Sequence, residues 1–246
     1  MSKTDGLTVI KGQPPSSEVR ATLAAEGRPV LVAFSTGKDA IATELALRDA
    51  GVETILAYLY YIPGRQPGST LDFIERTLAD LEDRLGKTIH RYPHPSLWRW
   101  LNALVFQPPE RCAVIEAARM PTIEYDQMWE MIREDLGLPS DTWVADGVRA
   151  ADSIPRRASL SQHGLMKPTS RKVSPIADWL KATVLGRVAE AGIRLPVDYE
   201  WFGRSFDGID YRFIEPLSRH APDDYRRVLD WFPLAELELF RHGMEA

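Results

Sequence analysis

The segment Pro29-Val-Leu-Val-Ala-Phe34, taken with the turn directly after it, constrains this chain more than any other feature. It is a short apolar run, β-branched at its centre, and it reads as a strand buried on both faces. Ser35-Thr-Gly-Lys-Asp39 comes next without a spacer, and then Ala40 to Ala50. Ile41, Leu45 and Leu47 give that last stretch a helical apolar face, and Gly51 closes it. A doubly buried strand that turns through small residues into a helix is a unit of a parallel α/β sheet.

The rest of the chain fits that class. Strands are predicted over 53–60, 88–92 and 142–145, and helices over 18–26, 71–85, 96–106, 122–136 and 175–191. Ser17 and Thr70 are candidate helix caps, and residues 63–69 read as a loop. Residues 152–172 carry Ser, Pro, Gly and five basic side chains, Arg156, Arg157, Lys167, Arg171 and Lys172, and read as a mobile loop. The tail alternates Pro-marked turns with short helices near 225–232 and 234–242, and Asp223-Asp224 reads as a dipole-favouring helix start. The alternation predicts a mostly parallel sheet with helices on both faces. A chain of 246 residues accommodates an α/β domain over 1–191 with a helical extension over 192–246 packed on it.

The turn after the first strand is a place to hold phosphate. Unpaired amides at a helix start and the positive end of its dipole attract anions. Gly37 permits close approach, Ser35 and Thr36 add hydroxyls, and Lys38 adds a full charge. A Walker loop needs Gly where Val32 stands and Ser or Thr where Asp39 stands, so that class is excluded. The Gly-x-Gly-x-x-Gly dinucleotide fingerprint is absent as well. Gly147 and Arg149 come just after the strand at 142–145, at the end where open sheets bind ligands.

Val32-Ala-Phe-Ser-Thr-Gly-Lys-Asp-Ala40 resembles the PP-loop of the N-type ATP pyrophosphatases, written Ser-Gly-Gly-Lys-Asp-Ser, within the phosphoadenosine phosphosulfate (PAPS) reductase-like branch. Trp143 to Arg156 resembles that branch's second motif, Gly-x-Arg followed by Ser and Arg. Lys172-Val-Ser-Pro-Ile-Ala-Asp-Trp179 resembles the segment that opens its late helix. The matches come in the family's order across 29–191. The resemblance implies an adenine-nucleotide α-hydrolase-like, three-layer fold with a five-stranded sheet. It implies ATP and Mg²⁺, with transfer of AMP to a substrate and release of pyrophosphate. Nucleotide contacts are then expected from Phe34, Ser35, Thr36, Gly37, Lys38, Asp39, Tyr60, Gly147 and Arg149. Lys38, Asp39 and Arg156 are the candidate catalytic residues, Arg157 and Lys172 the candidate substrate or phosphate ligands, and Asp39 the candidate Mg²⁺ ligand. Thr36 and Ala40 depart from the family's pattern.

The single cysteine, Cys112, sets a limit. Reductases of this branch use a thiol near the carboxyl end, and this tail has none, so PAPS reduction would require an unusual role for Cys112. An iron–sulfur cluster needs several cysteines and is excluded. The scattered histidines form no metal-ligand spacing. Three readings stay open: an adenylating enzyme, a non-catalytic nucleotide-binding relative serving as sensor or subunit, and a thiol-based reductase. The expected partners are a small nucleotide, a nucleotide or nucleic-acid substrate, or a sulfur-donor protein, and the aromatic tail suits a homodimer contact. The net charge of −5 argues against a general nucleic-acid coat while allowing a local basic patch. No apolar run approaches the roughly 20 residues of a membrane helix. Met1 to Gly6 lacks the apolar core of a signal peptide, and a cytoplasmic location is expected.

Overall fold

The computed structural model describes residues 6–243, so the stretch Met1 to Asp5 read above and residues 244–246 lie outside it. In chain order the elements are α1 (Ser16–Glu26), β1 (Val30–Ala33), α2 (Lys38–Asp49), β2 (Thr54–Tyr60), α3 (Asp72–Leu85), β3 (Ile89–Pro93) and α4 (Pro95–Asn102). Next come α5 (Pro109–Ala118), α6 (Tyr125–Asp135), β4 (Val144–Ala145), α7 (Ile154–His163), β5 (Met166–Lys167), β6 (Lys172–Val173) and α8 (Lys181–Glu190). The last elements are α9 (Asp198–Trp201), α10 (Tyr211–His220), α11 (Pro222–Trp231), a 3₁₀ turn (Pro233–Glu236) and α12 (Leu237–Arg241).

The strands form one sheet in the order β3-β2-β1-β4-β6-β5. β1 runs parallel to β2 and β4, β4 runs parallel to β6, and β5 is antiparallel to β6. The sheet therefore has six strands where five were expected. The segment 152–172 is also not the irregular loop predicted for it: it holds α7, β5 and the start of β6. Both misreadings have one cause. Only Leu160 of α7 is buried, so the helix carries no apolar period, and two-residue strands are too short to alternate. Two predicted helices are shorter than expected. Left-handed Leu104 (φ 53°) and Phe106 (φ 51°) lie just past the end of α4 at Asn102, and Ser174 to Leu180 run as buried turns before α8.

Contacts divide the chain into two units. One comprises Met1–Tyr58, Leu81–His90 and Trp129–Leu195; the other comprises Leu59–Asp80, Arg91–Met128 and Pro196–Ala246. In the first, β1 places Val30, Leu31 and Val32 in the core, as a doubly buried strand requires. α2 packs on α8 and is buried from Ala40 through Leu47. That run includes Glu44, fully enclosed, whose carboxylate lies 3.0 Å from Lys87 Nζ. A charge so placed requires its partner.

In the second unit, Phe73, Phe202, Phe206 and Phe213 pack edge to face or tilted, with centroids 5.2–6.0 Å apart. Asp224 is buried in the first turn of α11 and accepts hydrogen bonds from the amides of Asp72 (2.6 Å) and Phe73 (2.9 Å). It thus caps α3, whereas the sequence suggests a residue serving its own helix. Thr70 is likewise no side-chain cap; its hydroxyl donates to the Ile62 carbonyl at 2.8 Å.

His94 caps α4. Its Nδ1 accepts the Ser96 amide at 3.0 Å, which leaves the ring proton on Nε2, 3.1 Å from the Tyr125 hydroxyl. Burial, aided by the Arg99 charge, lowers its pKa from 6.5 to about 4. The folded state thus disfavours imidazolium, and stability should be lost as pH falls from about 6.5 towards 4, by about 3 kcal/mol in all. Thermal melts of the protein and of His94→Gln across that range should show a smaller acid loss in the variant. Equal losses would refute the assignment.

Candidate functional site

Strand order places the site. From β1 the chain builds outward to β2 and β3 on one side and to β4 and β6 on the other. The gap between the carboxyl ends of β1 and β4 is therefore a topological switch point, where open α/β sheets bind ligands. Leu31 pairs with Val144 and Val32 with Ala145, so the loops after these two strands leave the sheet side by side.

The first loop is Phe34–Gly37. The Phe34 amide donates to the Ala57 carbonyl at 2.9 Å and so belongs to the sheet, and the Ile41 amide donates to the Gly37 carbonyl at 3.0 Å. Between them, the amides of Ser35, Thr36, Gly37, Asp39 and Ala40 donate to no group among the described residues. Such donors at the positive end of a twelve-residue helix are what an anion requires. Thr36 adopts φ 59° with its side chain buried. This left-handed conformation suits glycine and costs a β-branched residue on the order of 1–3 kcal/mol. A glycine would adopt this conformation without strain, and this chain carries the strain instead. The Thr36 hydroxyl donates to the Ser35 carbonyl at 2.6 Å.

The second loop locks onto the first. A Cβ added at Gly147 would lie 2.9 Å from Asp39 Cβ and 3.0 Å from the Asp39 carbonyl carbon. Gly147→Ala should therefore destabilise the protein by about 1–3 kcal/mol and displace the start of α2. Denaturant midpoints and the helical start of α2 followed by amide exchange in the same variant would register both effects; an unchanged midpoint would show that the contact is loose.

Arg149 is buried and joins the two loops. Its Nε lies 2.8 Å from Asp39 Oδ1, off the hydrogen-bond axis, so that contact is Coulombic. Its Nη2 reaches Asp152 Oδ1 at 2.5 Å, and its Nη1 donates to the Trp179 carbonyl at 3.3 Å. Asp39 Oδ2 is held by Lys38 Nζ. Asp152 Oδ2 accepts from Arg156 Nη1 at 2.9 Å. One chain of alternating charge thus runs Lys38, Asp39, Arg149, Asp152, Arg156. Arg156 is half-exposed at the start of α7, where Ser153 caps the helix. Arg157 is exposed, with its Nε 3.4 Å from the Ala150 carbonyl.

Two acidic residues absent from the sequence-based site belong to this arrangement. Asp152 is one, and its i,i+4 spacing to Arg156 is a readable signal. Asp146 is the other. Its Oδ1 accepts from Ser174 Oγ at 2.7 Å and from the Val148 amide at 3.1 Å. The residue is half-buried, with its carboxyl enclosed among protein atoms. That burial raises its pKa, against the opposing pull of Ser174, Val148, Lys167 and Lys172. Ionising it in the folded state costs stability as pH rises through the raised value; below the ordinary carboxylate range the cost is absent. Asp146→Asn retains both accepted hydrogen bonds, so it should raise the thermal midpoint near pH 7 and lose that advantage near about pH 3.5. A pH-independent difference would count against the buried charge.

Lys172 sits on β6 opposite Val144. Tyr60, at the end of β2, belongs to the second unit; burial raises its phenol pKa, and its carbonyl accepts the His94 amide at 2.8 Å. Cys112, in α5, is also in the second unit, its thiol 3.4 Å from the carbonyl of Pro108 just before that helix. No group of three or more His, Cys, Asp or Glu side chains suited to hold a metal occurs among the described residues. No described helix is long and apolar enough to cross a membrane. No protein-family model matches the chain, and a search of curated proteins finds no significant match.

Proposed function

We propose that this chain binds ATP on the loop Ser35–Asp39 and cleaves it between the α and β phosphates, transferring AMP to an acceptor. The observation that carries the reading is the set of unengaged amides at the β1/β4 switch point, beside the guanidinium of Arg149. An acceptor oxygen attacks the α phosphorus and loses its proton, the bond to the bridging oxygen breaks to release pyrophosphate, and a second nucleophile, an amine or sulfide, then displaces AMP from the acceptor. The amides and Lys38 hold the phosphates, while Arg149 and Gly147 fix Asp39. Arg156, Arg157 and Lys172 provide cations for the acceptor or for developing charge. Catalysis is then positioning plus electrostatic stabilisation in a prepared site. The adenine-nucleotide α-hydrolase-like fold is part of the same proposal.

Mg²⁺ fits on one condition. Asp39 is the loop's carboxylate, and both its oxygens face cations. Lys38 would turn to a phosphate and free Oδ2, and Asp39 with the phosphates would hold the metal. When bound, the cation would neutralise the pyrophosphate leaving group.

The internal pairing of Lys38 with Asp39 favours a second reading, a nucleotide-binding module without turnover, which Thr36 and Ala40 also suit. Incubation with ATP–Mg²⁺, candidate nucleotide acceptors and an amine or sulfide as second nucleophile, with AMP and pyrophosphate quantified over time, separates the two. Matched release of both products supports the enzyme, and ATP binding with no release supports the module. Absence of ATP binding removes both.

A further inference from the structure

From Ser153 to Ala177 the chain has no Asp or Glu, while it carries Arg156, Arg157, Lys167, Arg171 and Lys172. The chain as a whole has a net charge of −5, so this stretch is a pronounced reversal of sign. It is also one structural piece: α7 leads into β5, the edge strand, and back through β6. Residues 151–158 are all exposed, and the remaining polar groups of α7 are Ser, Gln and His. Lys11 joins the surface, because its carbonyl accepts from Ser161 Oγ at 2.8 Å and Gln13 donates to the Ser161 carbonyl at 3.1 Å.

We propose that this surface binds a phosphodiester strand, so that the acceptor of the proposed AMP transfer is carried on a nucleic acid; the second half of that statement rests on the ATP reading. Three observations point to a polyanion. First, Lys167 and Lys172 stand directly opposite each other across the β5–β6 ladder, which sets two like charges side by side at the sheet edge. Second, cations outnumber the carboxylates at the margin: Asp152 is shared by Arg149 and Arg156, Asp141 pairs with Arg28 at 2.8 Å, and Asp146 accepts from Ser174, against five cations in the segment. Third, the surface is continuous with the site through the Arg156–Asp152–Arg149–Asp39 ion pairs. An acidic protein fits less well. Stable protein interfaces are centred on buried aromatic and apolar anchors, and α7 offers one exposed large apolar side chain, Ile154. A phosphodiester backbone needs only cations and hydrogen-bond donors.

The test is fluorescence anisotropy with labelled 20-mers of single-stranded DNA, duplex DNA and single-stranded RNA, without ATP. Binding of at least one of them is expected, weakening about 30–100-fold between about 50 and 200 mM salt, as three or four phosphate contacts imply. The three arms identify the strand type. Lys11→Glu/Lys167→Glu/Arg171→Glu should weaken binding at least about tenfold and flatten the salt slope. The Gln versions of the same residues, which disturb the fold less, should fall between. Arg65→Glu/Arg76→Glu/Arg194→Glu, an equal charge change at other exposed positions, should have a smaller effect. No binding by any strand, or equal loss in both triple variants, overturns the proposal. Because the binding assay holds no ATP, it is independent of the separate ATP–Mg²⁺ assay: strand binding here with no pyrophosphate release there would leave this surface standing and remove the adenylation reading. Pyrophosphate release with a free acceptor but no strand binding would do the reverse.

Discussion

Replacing Arg149 by Met should cost about 3–5 kcal/mol of folding stability, the largest single-residue effect expected in this protein. The side chain is only 4% exposed and is shared by two carboxylates and a carbonyl. Met keeps most of the volume and removes the charge, so Asp39 loses one counter-ion and Asp152 keeps only Arg156. The cost is that of stranding groups built to be paired. Chemical denaturation of both proteins measures it directly. Arg149→Lys should recover part of the loss, since an ammonium cannot serve both carboxylates in the planar geometry of a guanidinium. A loss under about 1 kcal/mol for Met would mean that solvent screens the pairs as it does at a surface.

Lys38→Ala addresses chemistry rather than folding. AMP and pyrophosphate production should fall at least about 100-fold, because a charge aimed at phosphate in a prepared site is worth several kcal/mol in the transition state. Stability should change much less, since Asp39 keeps Arg149. If ATP binding weakens while the residual turnover stays equal to that of the parent, Lys38 holds the ground state alone. A variant with parental affinity and turnover would remove Lys38 from the site. The two substitutions thus separate holding the loop together from using it.

Local signals reveal the centre of this fold. β1, the turn Phe34–Gly37 and α2 are legible because a doubly buried strand, a small-residue turn and a helical apolar period are consecutive in the chain, and the structure places these elements so. Gly147 and Arg149 are legible for a similar reason, as the residues just past a strand. What escapes the sequence is set by tertiary contact. Glu44 reads as a solvated helix position, and only Lys87, brought close by folding, allows its burial. α7 hides because its outward faces carry charge rather than an apolar stripe. Asp146 is an ordinary acid in the sequence; the burial that raises its pKa arises only on folding, with Ser174, Lys167 and Lys172 pulling against it. Thr36 shows as a departure from a motif, but its positive φ does not.

Asp224, which closes the amino end of α3, lies 152 residues beyond Asp72 in the chain. During translation that helix emerges with its first amides unmatched. At about 5–20 residues per second, on the order of ten seconds pass before the closing carboxylate is even polymerised. Water or a transient partner must satisfy the exposed amides over that interval. The nascent chain is therefore most vulnerable to misassembly before Asp224 leaves the ribosome, a window that a stalled ribosome would hold open.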